Sequence, residues 1–167
     1  MLRELKKVGE QKRETKTEVA TKEVAITPTP GPIAPSSVFL KAAPREKRIT
    51  YLNLNGSFTT ASTDWTDIKS TDAWINLEAE YGDTAYVDWE AAIKTTSSGS
   101  KVFIRLYDAT HSIAVNGSEL ESSSTTSTRV SSGRLYFWRG QNIYRVQIKS
   151  LNGLDATFDG GRIKIVY

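Results

Sequence analysis

The chain has 167 residues, 38% hydrophobic and 10% aromatic, with 22 Lys and Arg against 19 Asp and Glu and a formal net charge of +3. That is the size of one domain with a tail. Cys is absent and His occurs once, which excludes disulfides, zinc–thiolate and iron–sulfur sites, thiol nucleophiles and any site built on two imidazoles.

All five prolines, Pro28, Pro30, Pro32, Pro35 and Pro44, fall in one window, and every aromatic residue except Phe39 lies beyond Pro44. A boundary therefore falls near residue 44. Residues 1–44 hold eight Lys and Arg and five Glu, whereas residues 45–167 hold fourteen of each sign. The basic excess belongs to the first segment, so the second gives no electrostatic sign of nucleic acid. The N-terminus is charged and predicts no secretory signal, and no run reaches the roughly 18 apolar residues of a membrane span.

Within residues 1–44, Leu2, Leu5 and Val8 recur at i, i+3 and i+6, one or two turns of amphipathic helix that is too short to be stable alone in water. The stretch from Thr27 to Pro35 favours extended polyproline II and cannot donate ladder hydrogen bonds at its prolines. Val38, Phe39 and Leu40 follow, with nothing local to bury them. These six apolar residues are the candidate partner contacts of an N-terminal interaction arm. The alternative is a disordered leader and linker.

From Arg45 onward the period is two. Ile49 to Asn55 reads as a strand. In Trp74 to Tyr81 the alternation places Ile75, Leu77, Ala79 and Tyr81 on one face. Val87, Trp89, Ala91 and Ile93 then share a face, as do Val102, Ile104 and Leu106. Thr128–Ser131 is a short strand after a Ser/Thr loop, and Tyr136–Trp138 reads as a dense aromatic strand. Tyr144, Val146 and Ile148 form the next apolar face, and Ile163, Ile165 and Tyr167 the last. Glycines separate these runs, and Asn55-Gly56-Ser57 and Asn116-Gly117-Ser118 read as turns. The pattern predicts an all-β fold, a jelly-roll-like antiparallel sandwich of about eight to ten strands, with another β-sandwich as the alternative.

Residues able to do chemistry are few. Glu78, Glu80, Asp88 and Glu90 make a carboxylate cluster on two neighbouring predicted strands, the way a glycosidase pair is presented; as the polar positions of alternating strands they read better as a solvated face. Asp155 and Asp159 lack the dense acidic spacing of a calcium loop. Asp108 is placed to orient His111, but no serine completes a triad by spacing. No catalytic residue, metal ligand or cofactor is assigned. Alternation sets Phe137 opposite Tyr136 and Trp138; one side is core, and Trp138 is expected there. If the side of Tyr136 and Trp138 is instead exposed, the two form an aromatic platform, with Phe103 and Tyr107 on another strand; the alternative is that neighbouring subunits or loops cover both faces.

The texture of Val102–Thr110, of Val115-Asn-Gly-Ser-Glu-Leu120, of the Ser/Thr stretch and of Tyr144–Lys149 resembles small jelly-roll virion proteins of tailed bacteriophages, over roughly residues 86–167. The resemblance implies a non-enzymatic capsid decoration (cement) or tail-associated protein, assembled into a virion in the host cytoplasm. Its partners would be the major capsid protein or other virion proteins. It further implies a homo-oligomer, a trimer above others, with an arm reaching neighbouring subunits. A carbohydrate-binding sandwich shares the architecture and is the alternative. The third reading is a small jelly-roll capsid protein whose basic arm contacts the genome; five glutamates in the arm leave it few phosphates to neutralise, so nucleic acid is not an expected partner. No membrane partner is expected.

Overall fold

The computed structural model describes residues 46–167. The arm residues Leu2, Leu5, Val8, Val38, Phe39 and Leu40 lie outside the described residues. In chain order the elements are β1 (Ile49–Leu54), β2 (Phe58–Thr60), β3 (Thr66–Ile75), α1 (Leu77–Tyr81), β4 (Tyr86–Thr95), β5 (Val102–Asp108), β6 (Ile113–Ala114), β7 (Leu120–Ser122), β8 (Thr128–Ser131), β9 (Asn142–Ser150) and β10 (Ala156–Val166).

They form two antiparallel sheets. The first runs β1-β10-β4-β8 with β2 also on β10, and the second runs β3-β9-β5-β6 with β7 also on β5. With β2 set aside and β6 and β7 taken as one broken strand, the orders become first–eighth–third–sixth and second–seventh–fourth–fifth. That is the jelly-roll order, two Greek keys rolled over a common core. The strand at the end of the described chain, β10, is internal: it lies between β1 and β4, with Ile163 opposite both Leu52 and Trp89.

Alternation explains the faces. Along β4 every second residue is buried, and the same holds along β5, so Val87, Trp89, Ala91 and Ile93 meet Val102, Ile104 and Leu106 across the sandwich. Tyr144, Val146 and Ile148 from β9 and Phe158, Ile163 and Ile165 from β10 complete the core. Each large apolar side chain removed from water in this way contributes about 1.5–3 kcal/mol.

Three stretches differ from the period-two reading. The predicted strand from Trp74 to Tyr81 ends at Ile75 and becomes α1. The Asn76 side chain accepts from the Ala79 amide at 3.2 Å, and Glu80 reaches back to accept from the Asn76 amide at 3.1 Å, a reciprocal cap that starts a helical turn. Over five residues, period two and the i, i+4 spacing of a helix both put Leu77 and Tyr81 on one side, and both side chains pack on the core. The aromatic segment Tyr136–Trp138 is irregular backbone, joined to the first sheet by one bridge, Leu135 to Val87. Finally, β3 contains a register shift between Ile68 and Ala73, filled by buried Thr71, whose hydroxyl donates to the Ile68 carbonyl at 2.6 Å and accepts from the Val146 amide at 2.9 Å. Of the two Asn-Gly pairs only Asn116-Gly117 forms a turn, and neither makes a hairpin. Asn116-Gly117 links β6 to β7, which both pair with β5, while the irregular Asn55-Gly56-Ser57 links β1 to β2, which both pair with β10.

Candidate functional site

The carboxylates singled out for acid–base chemistry do not converge. Glu78 and Glu80 sit on α1, while Asp88 and Glu90 sit on β4. Glu90 accepts from Arg162 at 2.8 Å and from Arg129 at 3.1 Å, bridging β10, β4 and β8; the Arg162 hydrogen bond above all holds its carboxyl below the usual range. Asp88 faces Lys164 at 3.7 Å, and Glu78 faces Arg139 at 3.3 Å. A general acid needs a raised pKa, and Glu90 is shifted the other way. Asp159 is held by Lys94 at 3.1 Å and by the Ser57 hydroxyl at 3.1 Å. Among the described residues no group of three His, Asp or Glu side chains is placed to hold a metal ion.

Outer-face side chains of the second sheet form a charge-balanced ladder. Arg145 is clamped between Asp72 and Asp67 at 2.7 Å, and Gln147 joins Asp67 to Arg105 at 2.7 and 2.9 Å. Burial pushes the Asp67 carboxyl up, but the Gln147 and Arg145 hydrogen bonds outweigh it and the net shift is downward. Half-buried Phe103 and Tyr107 project from this face, as alternation requires. Phe103 lies under the Lys149 ammonium at 5.1 Å, which also covers Trp65 at 4.6 Å, while Arg105 covers Trp65 at 4.0 Å. Trp65 stands just before β3, in a stretch to which the period-two reading assigned no strand, so its pairing with two cations had no signal in the sequence.

The distinctive surface is a corner where the turn after β5, strand β6 and the segment before β9 meet. Tyr136 is 77% exposed, Trp138 56% and Ile113 47%. The expectation that Trp138 is core is therefore corrected: Phe137 between them turns inward and stacks on Tyr144, ring centroids 3.8 Å apart. Alternation of sides survives without a strand. Loss of the ladder leaves Trp138 beyond the sheet edge, where no second layer covers it.

Below this ridge the polar atoms are tightly matched. Tyr144, fully buried, accepts from the Trp138 amide at 3.1 Å; burial first, and the nearby Asp108 charge second, push its phenol up to about 12. Asn142 donates to the carbonyls of Trp138, Arg139 and Gly140 at 3.0, 3.3 and 3.2 Å. Asp108 is fully buried; it accepts from the Thr110 and His111 amides at 2.9 and 3.1 Å and pairs with His111 Nδ1 at 2.8 Å. The imidazole lies beside the Trp138 indole, centroids 5.3 Å apart and tilted 33°. The expected Asp108–His111 orientation is thus present, and the ring it orients supports an aromatic side chain. On one side of the ridge a cleft of about 380 Å³ is lined by Ile113, Ala114, Val115, Asn116, Trp138 and Arg139, among others. On the other a cleft of about 230 Å³ adjoins α1.

No protein-family model matches the chain, and no curated protein is similar to it in sequence. Several solved structures resemble the chain, two of them as follows. One, from Bacillus endospore appendages described as disulfide-linked pili, is 16% identical, with 75% of this chain and 92% of that one covered at a TM-score of 0.39. The other, from the structure of infectious bursal disease virus Gx strain, is 11% identical over 73% of this chain at a TM-score of 0.43. This chain spans about a third of the length of that viral chain, 32%.

Proposed function

We propose that the protein is a non-enzymatic structural component of a virion, a capsid decoration or tail-associated subunit. In this reading residues 45–167 are the folded body and residues 1–44 an arm that binds neighbouring subunits, with a homotrimer as the assembly unit and other virion proteins as partners. The observation that carries the reading is how the jelly roll uses its ionisable groups. Glu90, Asp88, Asp67, Asp72, Asp159 and Asp108 are all engaged with cations or amides that tie strands and turns together, which leaves them as structural ties. Support for the arm comes from its composition. The segment holds one aromatic residue and cannot build a core, yet it carries Leu2, Leu5, Val8, Val38, Phe39 and Leu40, apolar groups that gain by covering another surface.

Deleting residues 1–44 tests both parts. The truncated protein is expected to keep a β-type circular-dichroism spectrum and cooperative unfolding, and light scattering should show it with fewer copies per particle than the full chain. High salt should dissociate the full-length oligomer only partly, since apolar contacts are not screened. A truncated protein that assembles like the full chain removes the arm from the proposal; one that does not fold removes the division at residue 44.

A further inference from the structure

The Trp138 corner has the features of a ligand site that the structural role does not require. The Trp138 indole stands on an anchored backbone and has an imidazole beside it. Its backbone amide and carbonyl are held by Tyr144 and Asn142, and Phe137 is locked in a stack beneath. His111, itself clamped to fully buried Asp108 at 2.8 Å, braces the indole from one side. The indole nevertheless stays 56% exposed. An aromatic plane flanked by an imidazole on one side and open on the other offers stacking area to a ligand.

The cleft beside it, about 380 Å³, is mostly apolar, with Ile113, Ala114, Val115 and the aromatic ridge as walls, a size and polarity suited to a small ligand. Its polar groups are Asn116, whose amide is exposed in a turn, and Arg139, whose charge is met by Glu78 at 3.3 Å. The charge is therefore balanced, which favours a neutral ligand. The ligand must also present an apolar face to the indole and hydrogen-bonding groups at its edge. A pyranose ring has that form: axial C–H groups on its face and hydroxyls around its rim.

We propose that the corner formed by Trp138, Tyr136, Ile113 and Asn116 binds a neutral sugar unit of a glycan, stacked on the open side of Trp138, with Asn116 and Arg139 bonding its hydroxyls. His111 and Asp108 are positioning residues that hold the indole. The proposal is independent of the virion reading, and the failure of either leaves the other standing.

Isothermal titration of the full-length protein with maltohexaose, cellohexaose, mannohexaose and N-acetylchitohexaose tests it. At least one should bind. Trp138→Ala should weaken that binding tenfold or more and Asn116→Ala several-fold, while Trp74→Ala, an exposed tryptophan outside the cleft, should leave it unchanged. Circular dichroism and the thermal midpoint check that each variant folds. No binding to any of the four, or equal binding by Trp138→Ala, overturns the proposal. So does self-association of the wild type that Trp138→Ala abolishes in the absence of sugar binding, which would assign the corner to a second copy of the chain.

Discussion

Trp89 lies fully buried on β4, and its indole Nε1 donates to the Ser118 carbonyl at 2.8 Å, while its backbone amide donates to the Ser132 hydroxyl at 3.0 Å. Trp138 shares its chemistry but is 56% exposed. Replacing Trp89 by Ala removes packed volume and leaves an acceptor unpaired, so it should cost about 3–5 kcal/mol. Replacing Trp138 by Ala leaves its backbone hydrogen bonds in place and should cost about 1 kcal/mol or less. Urea unfolding of both variants measures the difference, and equal losses would contradict the exposed placement of Trp138. Alternation of Tyr136, Phe137 and Trp138 was legible in the sequence, as was the pairing of Asp108 with His111. Which side of the aromatic segment is covered was not, because that depends on where the sheet edge falls.

At the scale of elements, β10 shows what a glycine pair does inside a strand. The sequence Asp159-Gly160-Gly161 has the look of a turn, and only Ile163 onward reads as strand. In the structure the strand starts at Ala156 and passes through the pair as a bulge, its register on β4 shifting between Phe158 and Gly161. Gly160 takes a φ of 103°, and a Cβ at Gly161 would lie 2.6 Å from the Glu90 carbonyl and 3.2 Å from the Phe158 ring. Gly161→Ala should therefore destabilise by about 1–3 kcal/mol. Gly133→Ala, where a Cβ meets nothing within 4 Å, should be neutral or gain up to about 1 kcal/mol. Thermal midpoints of the two variants that moved together would exclude a steric cause. The β4, β5 and β9 faces were plain from period two because those strands are long and unbroken; β3 and the first half of β10 were hidden because each carries an irregularity, and α1 because five residues fit both periods.

Over the whole molecule, acid should loosen the sandwich in a defined window. Glu90, Asp67 and Asp159 all have carboxyls held below their ordinary range, by Arg162 at Glu90 and by hydrogen bonds that outweigh burial at the two aspartates. Groups depressed in the folded state contribute stability that is present above their unfolded pKa, about 4, and lost as pH falls through the folded values. The thermal midpoint should stay level from neutral pH to about pH 5 and then fall. Glu90→Gln should start lower at neutral pH and fall less steeply; a wild-type midpoint that is flat down to pH 2 would show these ties to be unimportant.

The internal place of β10 also has a consequence in time. Strands β1, β2 and β4 all pair with β10, so the first sheet lacks its middle until residue 166 has left the ribosome. Thr50 and Tyr167, whose side chains meet at 3.4 Å, are 117 positions apart in the chain. Loop closure over that distance is the slow kind of contact, and until β10 emerges β1 and β4 each keep one edge without its partner, the condition in which nascent chains capture one another. A nascent β1 therefore depends on its polar, charged surroundings for solubility until its partner arrives. In the second sheet the β5–β7 pairing needs only residues up to 122 to have left the ribosome, so this local contact can form before either sheet has its middle strand.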